Sequence, residues 1–545
     1  MTDRYDAVVV GAGHNGLTCG AYLAKAGLRV LVVERRERAG GAADTIEVAG
    51  ARAPLAHGIG RLRRSVIRDL RLERHGLRFV RPDVLALSLH PDGRTVTFWR
   101  DPARTAAGLA EWSSADAGSW TAFDRKVRAL ASVMAWLHAM TPPDLEYPSL
   151  ADVVSALKLG RGMRGLGSPA HLREAIRVVP TAVADFLEDH LESDAVRAAI
   201  AAGGVRYTAM GPRAAGTTAV LLSELAGTGA GPAGESATAV GGPGAVAEAL
   251  LGAVRSFGGE VRCGTEVERV LVRSGRAAGV VLAGGEEVGA RLVVSGADPK
   301  RTLLDLVDPE VLGPTLGWRA GNIRTPGTVA KVHLVLDAPP QFRAAAADDS
   351  PLRGRVLIGA ESIEALDSAF DPSKYGALPD RPFLDVVVPT LADDTLAGPG
   401  THVVSAMAQW IPYELRDGSW DDPARRDQLA DLVVTTLDER APGIGNRVVA
   451  RHVMTPLDLE REYGLTGGHP LHAEPGLDQF FAWRPALGMA RYRLPVAGLY
   501  LCGAGAHPGG GITGAPGANA AREILADLRG RAAARRPTRE PGAGG

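Results

Sequence analysis

Gly11, Gly13 and Gly16 have the spacing of a turn that holds phosphate groups. They follow an apolar run of strand-forming residues, and an Ala- and Leu-rich helical pattern then covers residues 15–26. In such a strand–turn–helix unit the first glycine permits the tight turn, the second lets a pyrophosphate approach the backbone, and the third lets the helix pack close to the strand. The stretch therefore predicts a dinucleotide site formed by Gly11, Ala12, Gly13, Asn15 and Gly16.

A carboxylate follows the next predicted strand. Residues 29–33 read as a buried strand, and Glu34 lies at its end, where both hydroxyls of an adenosine ribose can donate to a carboxylate. The basic turn after it ends in paired glycines, whose bare backbone suits the close approach of a cofactor. The predicted site therefore also includes Glu34, Arg35, Gly40, Gly41 and Ala42.

The same glycine spacing recurs at residues 229–234, but without the context of a nucleotide site. A helical pattern precedes this second copy, Pro232 interrupts it, and no strand leads into it. We therefore predict a flexible loop there.

A second glycine-rich turn lies near the carboxyl terminus. A short apolar strand enters the turn at residue 503, and a helical pattern leaves it and continues to residue 528. Pro516 is tolerated only in the first turn of that helix, which places the positive end of the helix near residues 512–515. Reduced flavin carries negative charge at N1 and the C2 carbonyl, so two such turns suit FAD better than NAD. The expected contributors here are Gly503, Gly505, Ile512 and Thr513.

Two histidines in the glycine-rich segments are candidate catalytic residues. His507 lies within the turn that should meet the flavin, and His472 precedes the segment that leads back to the flavin domain. A single histidine is more often a structural hydrogen-bonding residue than a catalyst, so both are candidates only. Neither has a carboxylate at the spacing of metal ligands, and we expect no metal site.

The composition excludes several classes of protein. The 61 basic and 62 acidic residues nearly balance, which argues against a nucleic-acid partner. Cys19, Cys263 and Cys502 are isolated in sequence, so neither a CxxC redox pair nor a disulfide framework is expected. No uninterrupted apolar stretch is long enough to cross a bilayer, and the first strand begins within six residues. We therefore expect a soluble cytoplasmic protein.

The chain is too long for one ordinary hydrophobic core, so we predict two interleaved domains. The predicted fold class is α/β: a Rossmann-type FAD-binding domain interleaved with a mixed α+β substrate domain. The FAD-binding domain takes residues 1–75, 236–300 and 491–530. The substrate domain takes residues 76–235, largely helical, and 301–490, and residues 531–545 form a disordered tail.

Several motifs together resemble the phytoene-desaturase-like flavoproteins, and within them the branch called pyridine nucleotide-disulfide oxidoreductase domain-containing protein 2. They are GAGHNG at 11–16, Glu34 with the paired glycines, Gly241-Gly242, Ala297-Asp298-Pro299, Leu477-Asp478-Gln479 and YLCGAGAHPGGG at 500–511. The resemblance implies the two-domain flavin fold shared with amine oxidases, non-covalent FAD, and a backbone contact of Val267 with adenine. Ala504 stands where many relatives place an acid, which implies that backbone amides contact the ribityl chain.

Three functions remain open at this stage. The first is an FAD-dependent oxidoreductase that takes hydride onto flavin N5 from an apolar substrate, such as a carotenoid-like polyene, with desaturation and isomerisation both allowed. Such a substrate also allows a peripheral contact with a membrane. The second is an amine oxidase, whose aromatic walls residues 509–513 do not supply. The third is a non-catalytic FAD-binding regulatory protein. The electron acceptor and the oligomeric state are left open.

Overall fold

The computed structural model describes residues 5–57, 59–145, 169–345 and 348–534. Its strands are, in chain order, β1 (Tyr5–Val10), β2 (Val30–Val33), β3 (Thr45–Val48), β4 (Ala51–Pro54), β5 (Phe79–Val80), β6 (Val84–Leu89), β7 (Thr95–Trp99), β8 (Thr238–Ala239), β9 (Glu260–Arg262), β10 (Val267–Arg273), β11 (Arg276–Leu282), β12 (Glu287–Ser295), β13 (Val329–Leu336), β14 (Arg355–Ile358), β15 (Leu384–Val387), β16 (His402–Gln409), β17 (Val448–Met454) and β18 (Leu499–Leu501).

The helices include a run of six, between β7 and β8, that no strand interrupts among the described residues. In chain order the helices are α1 (His14–Lys25), α2 (Arg64–Asp69), α3 (Pro102–Leu109), α4 (Ser114–Ala139), α5 (Pro169–Val178), α6 (Val183–Glu188), α7 (Asp194–Val205), α8 (Thr217–Leu225), α9 (Gly244–Ser256), α10 (Pro309–Gly321), α11 (Ile363–Phe370), α12 (Pro423–Asp438), α13 (Pro456–Tyr463) and α14 (Ala515–Ala534). Each of them is too short or too polar to cross a lipid bilayer.

The first sheet carries the glycine turns at the ends of its strands. Strands β9, β2, β1, β12 and β18 pair in parallel in that order, and β10 and β11 extend the sheet from β12 as antiparallel strands. The fully buried valines of β1 and β2 suit a parallel sheet that helices cover on both faces. Because β1 and β18 both flank β12, the turns that follow them meet at the same edge of the sheet.

The second sheet is mostly antiparallel and comes from two distant parts of the chain. Its order is β17-β13-β16-β15-β14-β6-β7, so the hairpin β6–β7 joins strands from residues 329–454. One apolar core lies between β13–β16 and α12, and another lies between this sheet and the helices from α4 to α8. The predicted fold class, a Rossmann-type sheet interleaved with a mixed second part, is confirmed.

Two local predictions differ from the structure. Residues 229–234 form a loop as expected, but the chain is buried from residue 230 to 237, so the loop is packed and not flexible. Helix α14 continues to Ala534, so the first four residues of the predicted disordered tail are helical. Residues 535–545 of that tail lie outside the described residues.

Candidate functional site

The first glycine turn has the predicted geometry. Gly11 adopts φ +88°, and a Cβ placed on Gly16 would lie 2.1 Å from the carbonyl oxygen of Gly11, so α1 packs against the turn only with glycine there. Helix α1 begins at His14, and no side chain caps its amino end. The free N–H groups of its first turn suit the phosphates of a dinucleotide.

Glu34 ties this turn to the end of β2. Its carboxylate is buried, with Oε2 accepting a hydrogen bond from the Ala12 N–H at 2.8 Å and Oε1 accepting one from the Arg36 N–H at 3.0 Å. Each carboxylate oxygen keeps a second lone pair, so a ribose hydroxyl can still donate to it. The side chain therefore shapes the turn as well as offering acceptors to a cofactor.

The paired glycines pack directly on the first turn. The Gly40 N–H donates to the Ala12 carbonyl at 2.9 Å, and a Cβ on Gly41 would stand 3.0 Å from the Cα of Gly13. Gly41 and Ala42 line the cavity described below, whereas Gly40 and Ala12 lie behind its wall. Residues 28 positions apart in the sequence thus form one backbone cradle.

The residues expected near the adenine end of FAD also face a cavity, the one described below. Arg35 and Val267 are lining residues, and Arg35 donates to the carbonyl of Arg461 at 3.1 Å. Burial and the neighbouring Arg301 lower the pKa of the Arg35 guanidinium. Arg36, which was not among the predicted contributors, lies 4.1 Å from the ring centre of Tyr463.

The carboxyl-terminal turn is only partly as predicted. Gly503 and Ile512 line the cavity, and α14 begins at Ala515 with Pro516 in its first turn. Gly505 does not line the cavity. A Cβ there would stand 2.3 Å from Cδ of Pro299, so a glycine is required at this position for packing. Thr513 also lies outside the lining, and its hydroxyl accepts the Ala515 N–H at 3.2 Å.

Both turns open into one cavity of about 1600 Å³. The opposite wall comes mostly from the second sheet and the helices beside it and is largely apolar, with Leu55, Val329, Met407, Leu459 and Leu465. The lining extends from the glycine turns and Glu34 to β13 and β16, so a ligand held at the turns would face the second sheet. The uncapped helix, the glycine cradle and Glu34 fit FAD on one side, and the apolar wall is left for a substrate.

His472 lies in the wall of this cavity. It adopts φ +62°, which is uncommon for a residue with a side chain, and its buried Nδ1 has no hydrogen-bond partner. Burial, with Arg484 and His469 nearby, lowers the pKa of His472 to about 3. The ring is therefore neutral at physiological pH and offers an unoccupied nitrogen.

The structure does not support His507 as a catalytic residue. Its buried ring is absent from the cavity lining, hydrogen-bonds through Nε2 with the carbonyl of Leu137 at 3.0 Å, and meets the edge of Phe481 at 5.3 Å. Burial lowers its pKa to about 3. Its position within the glycine turn gave no information on the direction of its side chain, which points toward α4.

Lys331 and His57 are lining residues that sequence reasoning missed. Lys331 is 4% exposed, and its Nζ lies 2.5 Å from Nε2 of His57, which in turn lies 3.1 Å from the Ser405 hydroxyl. Burial lowers the pKa of both groups well below their ordinary values. The available signal was a lysine inside the mostly apolar β13, since lysine is almost never fully buried unless it is paired.

Cys19 and Cys502, isolated in sequence, are neighbours in the fold. Both are fully buried between α1 and the end of β18. A hydrogen bond with Cys502, together with burial, raises the pKa of the Cys19 thiol well above its ordinary value. The sequence rule on CxxC spacing does not detect pairs formed by distant segments.

Comparisons with known proteins agree with this geometry. Residues 9–65 match the NAD(P)-binding Rossmann-like domain, and residues 228–525 match the flavin containing amine oxidoreductases. Pyridine nucleotide-disulfide oxidoreductase domain-containing protein 2 of Rattus norvegicus is 34% identical over 97% of this chain and 94% of its own. A phytoene desaturase (neurosporene-forming) of Cereibacter sphaeroides is 30% identical over 53% of each chain. A solved structure of putrescine oxidase bound to putrescine covers 97% of this chain and 100% of its own with a TM-score of 0.56, and its 16% identity shows likeness of fold alone.

The family and the site together fix the cofactor and the class of reaction. FAD is the cofactor, and it supplies hydride acceptance when bound. With 34% identity along nearly its whole length to one relative, and more than half of its residues matching the flavin model, the chain is an FAD-dependent oxidoreductase that belongs to the flavin-containing amine oxidoreductase family, in the branch of pyridine nucleotide-disulfide oxidoreductase domain-containing protein 2.

Proposed function

We propose that this enzyme removes hydride from a C–H bond of an apolar substrate, such as a carotenoid-like polyene. The observation that carries the proposal is the apolar wall that faces the glycine turns across the cavity. A relative that is named for phytoene, a hydrocarbon, agrees with such a substrate. Burial of apolar surface would then supply most of the binding free energy, at about 25 cal/mol per Å².

Removal of hydride to form a double bond also releases a proton, and the pair of Lys331 and His57 is suited to accept it. Two protonated cations would repel each other strongly at the 2.5 Å that separates Nζ from Nε2, so at least one of the groups is neutral. Burial favours the neutral form of both. His472, neutral with an unoccupied nitrogen, is the third group that can contact the substrate.

The charges in the cavity wall argue against an amine substrate. Of the three acidic residues in the wall, Glu34 is bonded to backbone N–H groups, Glu224 is paired with two arginines, and Glu266 is paired with Arg301 at 3.2 Å. None is left to bind a substrate ammonium group. Tyr207 and Tyr463 do supply aromatic surface, but the Tyr463 hydroxyl donates to Asp44 and its ring contacts Arg36.

An apolar substrate has to be collected from a membrane or a carrier, and we include a peripheral membrane contact in the proposal. Leu304, Val311 and Trp318 are large apolar side chains exposed in the neighbouring segments 301–305 and α10. Trp318→Ser should reduce sedimentation of the protein with phosphatidylcholine vesicles. If the variant sediments as the unchanged protein does, this contact is wrong.

The test of the proposed function is anaerobic reduction of the FAD-loaded enzyme. Phytoene in detergent should bleach the flavin absorbance, whereas putrescine at the same concentration should not. Lys331→Met and His472→Ala should keep FAD and slow the bleaching, with the exposed Lys374→Met as control. Isomerised phytoene without bleaching would identify an isomerase instead, and bleaching by putrescine alone would overturn the proposal.

A further inference from the structure

A second cavity lies beside the cofactor cavity and is lined by four arginines. It measures about 870 Å³, and its arginines are Arg61, Arg63, Arg206 and Arg484. We call it the arginine compartment. Arg61, Glu224 and Leu471 belong to the walls of both cavities, so the two cavities are adjacent.

The carboxylates near the arginine compartment are fewer than the cations. Glu224 pairs with Arg61 at 2.5 Å and with Arg206 at 3.2 Å. Arg206 also contacts Asp385 at 3.0 Å, and Asp385 is held by Arg355 at 2.9 Å. Three guanidinium groups therefore share two carboxylates.

The other two arginines have no ion pair with any residue that the structure describes. Arg63 donates to Oδ1 of Asn519 at 3.1 Å and to the carbonyl of His138 at 2.7 Å. Arg484 is 2% exposed, its Nε has no partner, and its other nitrogens donate to the carbonyls of Leu471, Ala473, Glu474, Gln479 and Ala504.

These contacts are hydrogen bonds to neutral oxygens, and among the described residues no carboxylate forms an ion pair with either guanidinium group. Glu474, the carboxylate that acts on Arg484, is itself 3.3 Å from Nε2 of His469. The positive charge of these arginines also acts on His138. Burial, His507 and three of the arginines lower the pKa of its ring well below the ordinary value. Burying a cation without a counter-charge is costly, so a bound anion would stabilise this arrangement.

The remaining wall of the arginine compartment is apolar. It includes Ala135, Ala219, Val220 and Phe480. Guanidinium groups bind carboxylates through short, charge-assisted hydrogen bonds. We propose that the arginine compartment binds an organic carboxylate with an apolar body, separately from FAD. This site does not depend on which substrate the cofactor cavity accepts.

The experiment is calorimetric titration of the FAD-loaded enzyme with octanoate, with octanol and inorganic phosphate as reference ligands. Arg63→Gln removes one unpaired cation, and Arg64→Gln, at the next and exposed position, is the matched control. Ala135→Leu places bulk in the compartment from the partly exposed face of α4. Flavin absorbance and thermal unfolding of every variant report whether the fold and the cofactor are retained.

The unchanged enzyme and Arg64→Gln should bind octanoate equally, and Arg63→Gln and Ala135→Leu should each weaken it about tenfold or more. Octanol should bind at least about tenfold more weakly than octanoate, because it lacks the charge. Equal binding of octanol and octanoate, or equal binding by the two arginine variants, would overturn the proposal. Binding of phosphate without octanoate would also overturn it, in favour of an inorganic anion. If Arg63→Gln fails to fold, unchanged affinity in Ala135→Leu refutes the site.

Discussion

Replacing Glu34 by glutamine should weaken FAD binding through the turn that this carboxylate holds. Glu34 accepts hydrogen bonds from the N–H groups of Ala12 and Arg36, and a glutamine can offer an oxygen to only one of these donors. Its NH₂ group would face the other N–H, leaving a buried donor without an acceptor. The same change removes the charged acceptor that Glu34 offers to a ribose hydroxyl of FAD. Losing that charge-assisted bond costs about 1–3 kcal/mol, which is roughly a 5- to 150-fold rise in the Kd for FAD.

The assay is quenching of FAD fluorescence during titration with the apoprotein. Glu37→Gln, three residues further on and exposed, is the matched control and should leave the Kd unchanged. Because Glu34 also joins the turn to β2, denaturant unfolding of the apoprotein should show a loss of stability of about 1–3 kcal/mol. A Kd for Glu34→Gln within twofold of the Glu37→Gln value would refute the reasoning.

Three further predictions concern the turn, the core and the cofactor. Gly16→Ala should abolish FAD retention, because its Cβ would overlap the Gly11 carbonyl, while Gly108→Ala, which has open space around it, should purify yellow. Burial lowers the pKa of His333 well below 6.5. As pH falls below about 6.5, the unfolded chain therefore binds a proton that the folded state excludes, and the free energy of unfolding decreases. In a plot of the free energy of unfolding against pH, His333→Leu should make the slope near pH 5 shallower by about 1.4 kcal/mol per pH unit. An unchanged slope would contradict this prediction. NADH and NADPH should not bleach the flavin anaerobically, because the second GxGxxG copy is a packed loop that no strand leads into; rapid bleaching by either would show a nucleotide site elsewhere.

The glycine turns could be predicted because their physical cause is local. Gly11 and Gly16 are required by a positive φ and by a contact between residues five apart, and Glu34 lies at the end of an uninterrupted valine-rich strand. Such features depend on the conformation and spacing of neighbouring residues, which the sequence prints directly.

The sequence by itself determined the Rossmann-type unit, the interleaved α/β class and the carboxylate that accompanies the first turn. Only the tertiary structure decided that Lys331 meets His57, 274 residues away, and that His507 faces α4 and not the cavity. It also placed Arg63 and Arg484 in one compartment. Local periodicity states which face of a strand or helix is buried, but the partner of that face depends on how distant segments pack, and that is settled only when the whole chain folds.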